Sequence, residues 1–296
     1  MFTCWLAGTP VCRAALVFED HYEIGIGQYT AASVIPGQTP TLTNATGAWA
    51  LGSGTVSGNV NGRSSATNLT IPGYVTSGGS AQFFRSDSGT ATDNINFRLG
   101  ASNNAATTLD LGETFYFSAL ISYTGSHRIG FGLDFEGATI PFGIGFNRTG
   151  SIGIMNTTND GVGNPLLGPV NNGGSAFTAG TYLVVGKVVP NGAGNDTVSL
   201  LVVSNNFASV PLSEPSALTS DSSVNYWTTT TNDTLENYWL FAQKRNGTGL
   251  TGGIDEFRVA STYLEAIAVP EPATWGLLSL LGCTTLGVWS RRRKVA

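Results

Sequence analysis

The chain has 296 residues, 41% of them hydrophobic and 10% aromatic, with 39 Gly and only 11% charged residues. So large an apolar share excludes a disordered chain, and so few strong helix formers exclude a mostly helical one. Residues 16–268 hold 9 Lys and Arg against 18 Asp and Glu, an acidic balance that excludes the basic footprint a nucleic-acid partner needs.

Met1 to Ala15 join a short apolar stretch (Phe2 to Ala7, then Val11-Cys12) to the small-residue ending Arg13-Ala14-Ala15. No cation precedes Arg13 and Pro10 interrupts the run, whereas a full secretory leader has a basic first region and a continuous apolar core. We read residues 1–15 as a remnant signal peptide, with the mature chain beginning near Leu16. From there to residue 268 the dominant period is two. Thr114 to Ser122 places Phe115, Phe117, Ala119 and Ile121 on one face. Ile129, Phe131, Leu133 and Phe135 follow, with Gly130, Gly132, Asp134 and Glu136 opposite. Ile140, Phe142, Ile144 and Phe146 repeat the pattern against Pro141, Gly143, Gly145 and Asn147, and Ile152 and Ile154 come after the Arg148-Thr149-Gly150 turn. Strict alternation means strands with one buried face, and short strands joined by Gly and Asn turns predict an antiparallel meander. Thr181–Val189 and Thr197–Ser204 read as a hairpin around the loop 190–196. Their Leu and Val on both faces predict central positions. Tyr238–Gln243 and Ile254–Val259 supply two more strands, and no helical period of ten residues appears before Ala273.

The last 28 residues change character. Val269-Pro270-Glu271-Pro272 is a stiff, extended break, and residues 273–290 contain no charge, close to the shortest apolar run that crosses a bilayer as a helix. Trp275 and Trp289 lie near its ends, and Arg291, Arg292, Arg293 and Lys294 close it as a cytoplasmic membrane stop. Cys4, Cys12 and Cys283 all fall in the two terminal segments, so the domain between them contains neither a disulfide nor a thiol metal site.

Break, span and basic stop together resemble the PEP-CTERM sorting signal of Gram-negative, exopolysaccharide-producing bacteria. The resemblance implies that an exosortase recognises residues 269–296 and cleaves near Pro270-Glu271-Pro272. A transiently inner-membrane-anchored chain would then pass to the cell surface or the extracellular matrix. Between the ends, two motifs are similar to those of concanavalin A-like, laminin-G-like (LamG-like) domains. They are the paired strands Gly180-Thr181-Tyr182-Leu183-Val184-Val185 and Gly194-Asn195-Asp196-Thr197-Val198-Ser199-Leu200, and the closing strand Gly253-Ile254-Asp255-Glu256-Phe257-Arg258-Val259. The expected fold is therefore all-β, an antiparallel two-sheet jelly-roll sandwich over 16–268, followed by one transmembrane helix over 273–290. Residues 16–100 match least, and read either as earlier strands of the sandwich or as a separate cap.

Function is less legible. Retaining glycosidases need two carboxylates roughly 5–5.5 Å apart, and the glucanases of this fold carry them as Glu-x-Asp-x-(x)-Glu on one strand. In Gly132-Leu133-Asp134-Phe135-Glu136 the two acids share a face, but glycine stands at the nucleophile's position. No catalytic residue is assigned, and a divergent glycan-active hydrolase is the alternative to a non-catalytic domain contacting polysaccharide or extracellular protein. A purely structural matrix component is a third reading. A structural Ca²⁺, the one cofactor considered, would draw oxygens from Asp255 and Glu256, or from Asp87 and Asp93. Asp255-Glu256 could equally bond locally or pair with Arg258. His21 and His127 have no cysteine beside them and do not suggest zinc. For sugar stacking, Tyr226 and Trp227, ahead of Asn232-Asp233, are the candidates, with Trp49 and Tyr74 behind them. Trp239, inside a strand, is expected in the core.

Overall fold

The computed structural model describes residues 16–22, 24–25, 29–33, 35, 38, 60–74, 76, 78–85, 95–97, 108–109, 113–125, 127–135, 142–156, 167–192, 194–206, 210–223, 233–244 and 249–267. Within them the alternating segments form two antiparallel sheets. The first runs β13 (Thr219–Asp221), β12 (Thr197–Ser204), β11 (Gly180–Val189), β6 (Phe115–Tyr123), β15 (Gly249–Ala260), β3 (Ser80–Arg85) and β2 (Val60–Ser65), with β1 (Leu16–Asp20) also paired to β15. The second runs β10 (Leu167–Val170), β9 (Ile152–Asn156), β8 (Phe142–Phe146), β7 (His127–Phe135), β14 (Asp233–Lys244) and β4 (Ile95–Phe97), with β5 (Thr108–Leu109) also on β14.

The inner faces meet in one core. Phe117, Ala119 and Ile121 of the first sheet and Phe131, Leu133, Phe142, Ile144, Ile152 and Ile154 of the second are all buried in it. The Phe117 ring meets Phe131 and Phe142 edge-on, with centroids 5.7 and 5.6 Å apart, the geometry aromatic quadrupoles favour. Each such buried side chain contributes about 1.5–3 kcal/mol. That supply lets a segment without cysteine hold together.

The hairpin of β11 and β12 forms as the sequence predicts, and β11 lies between β12 and β6. The single meander over 114–154 does not form. Strands β7 to β10 are consecutive neighbours in the second sheet, but β6 belongs to the first, where β11 and β15 occupy both its edges. The chain changes sheet at a corner after Tyr123. There Gly125 takes φ +85° and the buried His127 turns its Nδ1 back to the Gly125 carbonyl, with Thr124 Oγ1 at 3.0 Å. Alternation could not reveal this, because strands of either sheet turn the same apolar face to the same core. The described strands of residues 16–97 extend both sheets, so they are earlier strands of this sandwich. The one helix among the described residues, α1 (Tyr263–Ala266), is a single turn capped by Thr262. No helix among them is long and apolar enough to cross a membrane. The leader, the sorting motif Val269–Pro272, the span 273–290 and the basic stop Arg291–Lys294 lie outside the described residues.

Candidate functional site

A sandwich offers a ligand two outer sheet faces, and the chain treats them differently. On the first sheet the outward positions Tyr116, Leu120, Leu183, Val185 and Ala260 are buried in a second apolar cluster. The cluster is completed by Ile71 and Tyr74 from the loop before β3, by Val210, and by Tyr263, Ala266 and Ile267 at α1. A register shift between Val185 and Gly186 makes Leu201 an extra residue on β12, and both Leu201 and Val202 join this cluster. The segment after β12 is tied down by Glu214, which accepts from Lys187 Nζ at 2.6 Å and from the Tyr116 hydroxyl. The Ser118 hydroxyl donates to the Ala266 carbonyl. Strands apolar on both faces are thereby explained: the first sheet is covered on both sides by its own chain.

On the second sheet the outward positions are of another kind. Register pairs Gly132 with Gly143 and Gly130 with Gly145, and Gly145 in turn with Gly153. On the other side of β7, Trp239 is paired with Gly132, Phe241 with Gly130, Gln243 with Arg128 and Asn237 with Asp134. Tyr238, Leu240 and Ala242 are buried in the core, so alternation puts positions 239 and 241 on the outer face. The side chain of Trp239, expected in the core, lies outside the described residues. The glycine floor is itself buried. Asp134 also lies on this face, whereas Glu136, its expected companion, lies outside the described residues, as do Trp49, Asp87, Asp93, Tyr226 and Trp227. Tyr74 belongs to the apolar cluster on the first sheet.

A polar cluster that the sequence did not announce lies where β1 meets β15. A register shift on β15 between Asp255 and Arg258 leaves two residues facing one on β6, and Glu256 takes φ +51°, a bulge that re-aims side chains. Its Oε2 accepts from His21 Nδ1 at 2.6 Å and from Arg258 Nη2 at 3.2 Å, and Glu19 Oε2 meets His21 Nε2 at 3.0 Å. Asp255 accepts the Leu69 amide at 2.9 Å and the Glu256 amide at 2.8 Å, and burial pushes its carboxyl up to about 9. On the inner side, Asp20 accepts from the hydroxyls of Tyr29 (2.6 Å) and Tyr238 and from the Tyr22 amide (2.8 Å). Burial outweighs these bonds and raises Asp20 to about 6. Asp255 and Glu256 do not fit a calcium ion: their oxygens face amides and two cations, and no group of three or more metal-ligating side chains occurs among the described residues. The signal in the sequence was the run Glu19-Asp20-His21, whose alternate members turn to opposite faces of one strand.

No family model and no curated protein matches the chain. Among solved structures it is similar to an endo-β-1,4-glucuronan lyase from the fungus Trichoderma reesei, at 8% identity and a TM-score of 0.44, over 84% of this chain and 97% of that one. It is also similar to a cellulose-induced protein (12%, 0.39, 72% and 91%). An alginate lyase of polysaccharide lyase family 7 is a further likeness (10%, 0.30, 69% and 78%). Likeness at this level assigns neither a site nor an activity to the present chain.

Proposed function

We propose that the chain is an exported surface or matrix protein whose sandwich, a jelly roll of the concanavalin A-like kind, contacts polysaccharide without catalysis through the outer face of the second sheet. One observation carries the choice of face. The middle of the first sheet is packed with apolar side chains from the chain's own segments, while the second carries a buried glycine floor flanked in register by positions 237, 239, 241 and 243. Flat backbone beside aromatic and amide positions is what a sugar's apolar face and hydroxyls require. The tail Val269–Pro272 with Arg291–Lys294 supports sorting by an exosortase, with the membrane as a transient partner. The non-catalytic reading is supported by Gly132 at the position where a retaining enzyme of this fold needs its nucleophile.

The test is affinity electrophoresis against a panel of neutral and acidic polysaccharides, with reducing-end release measured on the same samples. We expect retardation without release, weakened about tenfold by Trp239→Ala, the worth of one lost aromatic contact. Trp227→Ala reports whether the loop before β14 contributes. Binding to none of the panel would overturn the proposal, and release abolished by Asp134→Ala would replace it with the hydrolase.

A further inference from the structure

Glu19, His21, Glu256 and Arg258 form a charge set where β1 meets β15. Both ring nitrogens of His21 face a carboxylate oxygen, Nδ1 that of Glu256 at 2.6 Å and Nε2 that of Glu19 at 3.0 Å. A neutral imidazole has one N–H and would turn a lone pair on one of these carboxylates, whereas imidazolium donates to both. Arg258 stands beside both carboxylates, its Nη1 3.6 Å from Glu19 and its Nη2 3.2 Å from Glu256. Glu256 is 1% exposed and His21 17%, so an unbalanced carboxylate there has little water to turn to.

The position of this set gives it leverage. Register ties β1 to β15 over only Leu16–Asp20, a short strand that the charge set fastens at its C-terminal end. The next anchor is the His21 carbonyl, which accepts the Gly79 amide at 2.9 Å. Gly79 is glycine because a Cβ there would stand 2.6 Å from the Tyr22 carbonyl oxygen and closer still to that of Ser65. Three backbones therefore cross at the end of β1, and the side chain beside the crossing is His21.

We propose that Leu16–Tyr22 is a protonation-dependent latch, held on β15 while His21 is imidazolium and released from an otherwise folded sandwich when that proton leaves. The groups facing His21 are Glu19 on β1 and Glu256 on β15. Arg258 and Asp255 stand behind them on β15, Tyr74 meets Arg258 from the loop before β3, and Asp20 with Tyr22, Tyr29 and Tyr238 lies on the core side. Burial opposes the charge on His21, but the bonds to Glu19 and Glu256 outweigh it and lift the imidazole from 6.5 to about 10. A raised value gives the sign. The latch is tightest below pH 6.5 and loosens as pH rises through about 10, its opening constant growing tenfold per pH unit for each proton released.

The experiment is amide hydrogen exchange on the full chain from pH 7 to 9, expressed as protection factors so that the intrinsic pH dependence cancels. The reporters are the Gly79 amide and those of β1, with Val184 of β11 as the core reference. The wild type is expected to lose about 100-fold or more in protection at the latch amides over this range, while Val184 stays constant. His21→Arg, permanently charged, is expected to cut that loss by about 100-fold, and His21→Gln to show low latch protection already at pH 7. Flat latch protection in the wild type would overturn the proposal. So would parallel loss at Val184, or a His21→Arg slope equal to that of the wild type.

Discussion

Gly186 lies where the core leaves no room for a side chain, and it yields the sharpest stability prediction. Register places it opposite Phe117 at the irregularity between β11 and β12. A Cβ added there would overlap Phe117 Cζ and stand 2.5 Å from Ile144 Cδ1 and 2.6 Å from Phe117 Cε1, against ordinary carbon contacts of about 3.5–4.0 Å. The ring cannot tilt away freely, because Phe131 and Phe142 hold its edges. Overpacking of this kind costs about 1–3 kcal/mol, and the lower unfolded-state entropy of alanine returns about 0.4–1 kcal/mol. Gly186→Ala should therefore destabilise by about 1–2 kcal/mol, read from the urea midpoint at unchanged slope. The overlap is with the Phe117 ring and with Ile144 Cδ1, so Phe117→Leu should relieve the larger part of it, leaving the double variant less damaged than the sum of the singles by at least about 0.5 kcal/mol. A Gly186→Ala protein as stable as the wild type, or strict additivity with Phe117→Leu, would refute the packing argument.

Two further outcomes follow from the polar groups. Asp20 is raised from 3.8 to about 6 by burial, so the folded state favours its protonated form. Its contribution is greatest below pH 3.8 and is lost as pH climbs through about 6, a change of about 3 kcal/mol at 1.36 kcal/mol per pKa unit. Asp20→Asn should flatten the stability profile between pH 4 and 7, as measured by denaturant unfolding across that range. Burial alone would raise Glu214, but the bonds from Lys187 and Tyr116 hold it below its ordinary 4.5. Its pairing stabilises above pH 4.5 and is lost on acidification. The group is 35% exposed, so Glu214→Gln should cost under about 1 kcal/mol at neutral pH, and less in added salt.

The fold was legible wherever core side chains recurred with period two. Phe115 to Ile121 and Ile129 to Leu133 could be assigned from period two alone, and they pack as expected. Sheet membership was not legible, because Phe117 and Phe131 come from opposite sheets yet carry the same pattern. The strands Leu183–Val185 and Leu200–Val203 announced burial on both faces, but not that α1 and the segments around Ile71 and Val210 would provide the second cover. The His21 cluster was hidden for another reason. Its members are 235 residues apart, and a backbone twist at Glu256, which sequence spacing does not encode, aims one carboxylate at the imidazole. In the second sheet, pairing turned scattered glycines into a floor. Alternation set Gly130, Gly132, Gly143 and Gly145 opposite the apolar rows, and register brings them side by side with Gly153.

The two sheets divide the work of the molecule along that line. Irregular pairing concentrates in the first sheet, at Leu16/Phe18, Val185/Gly186, Leu250/Gly252 and Asp255/Arg258. Each bulge strengthens local twist; the one at Val185/Gly186 serves the cover, and the one at Asp255/Arg258 aims the latch carboxylate. In the second sheet the pairing of β7 with β8 and β8 with β9 runs unbroken from Ile129 to Leu133 and across to Asn156. Unbroken register over three strands at ~4.8 Å spacing makes a regular floor about 10 Å across. A face meant for packing against its own chain would fill that floor with Val and Leu, as the first sheet does at Leu183 and Val185. Glycine there leaves no side chain to pack and lets whatever covers the floor approach the backbone closely. That asymmetry, rather than any single aromatic residue, is the support for proposing the polysaccharide contact on the second sheet.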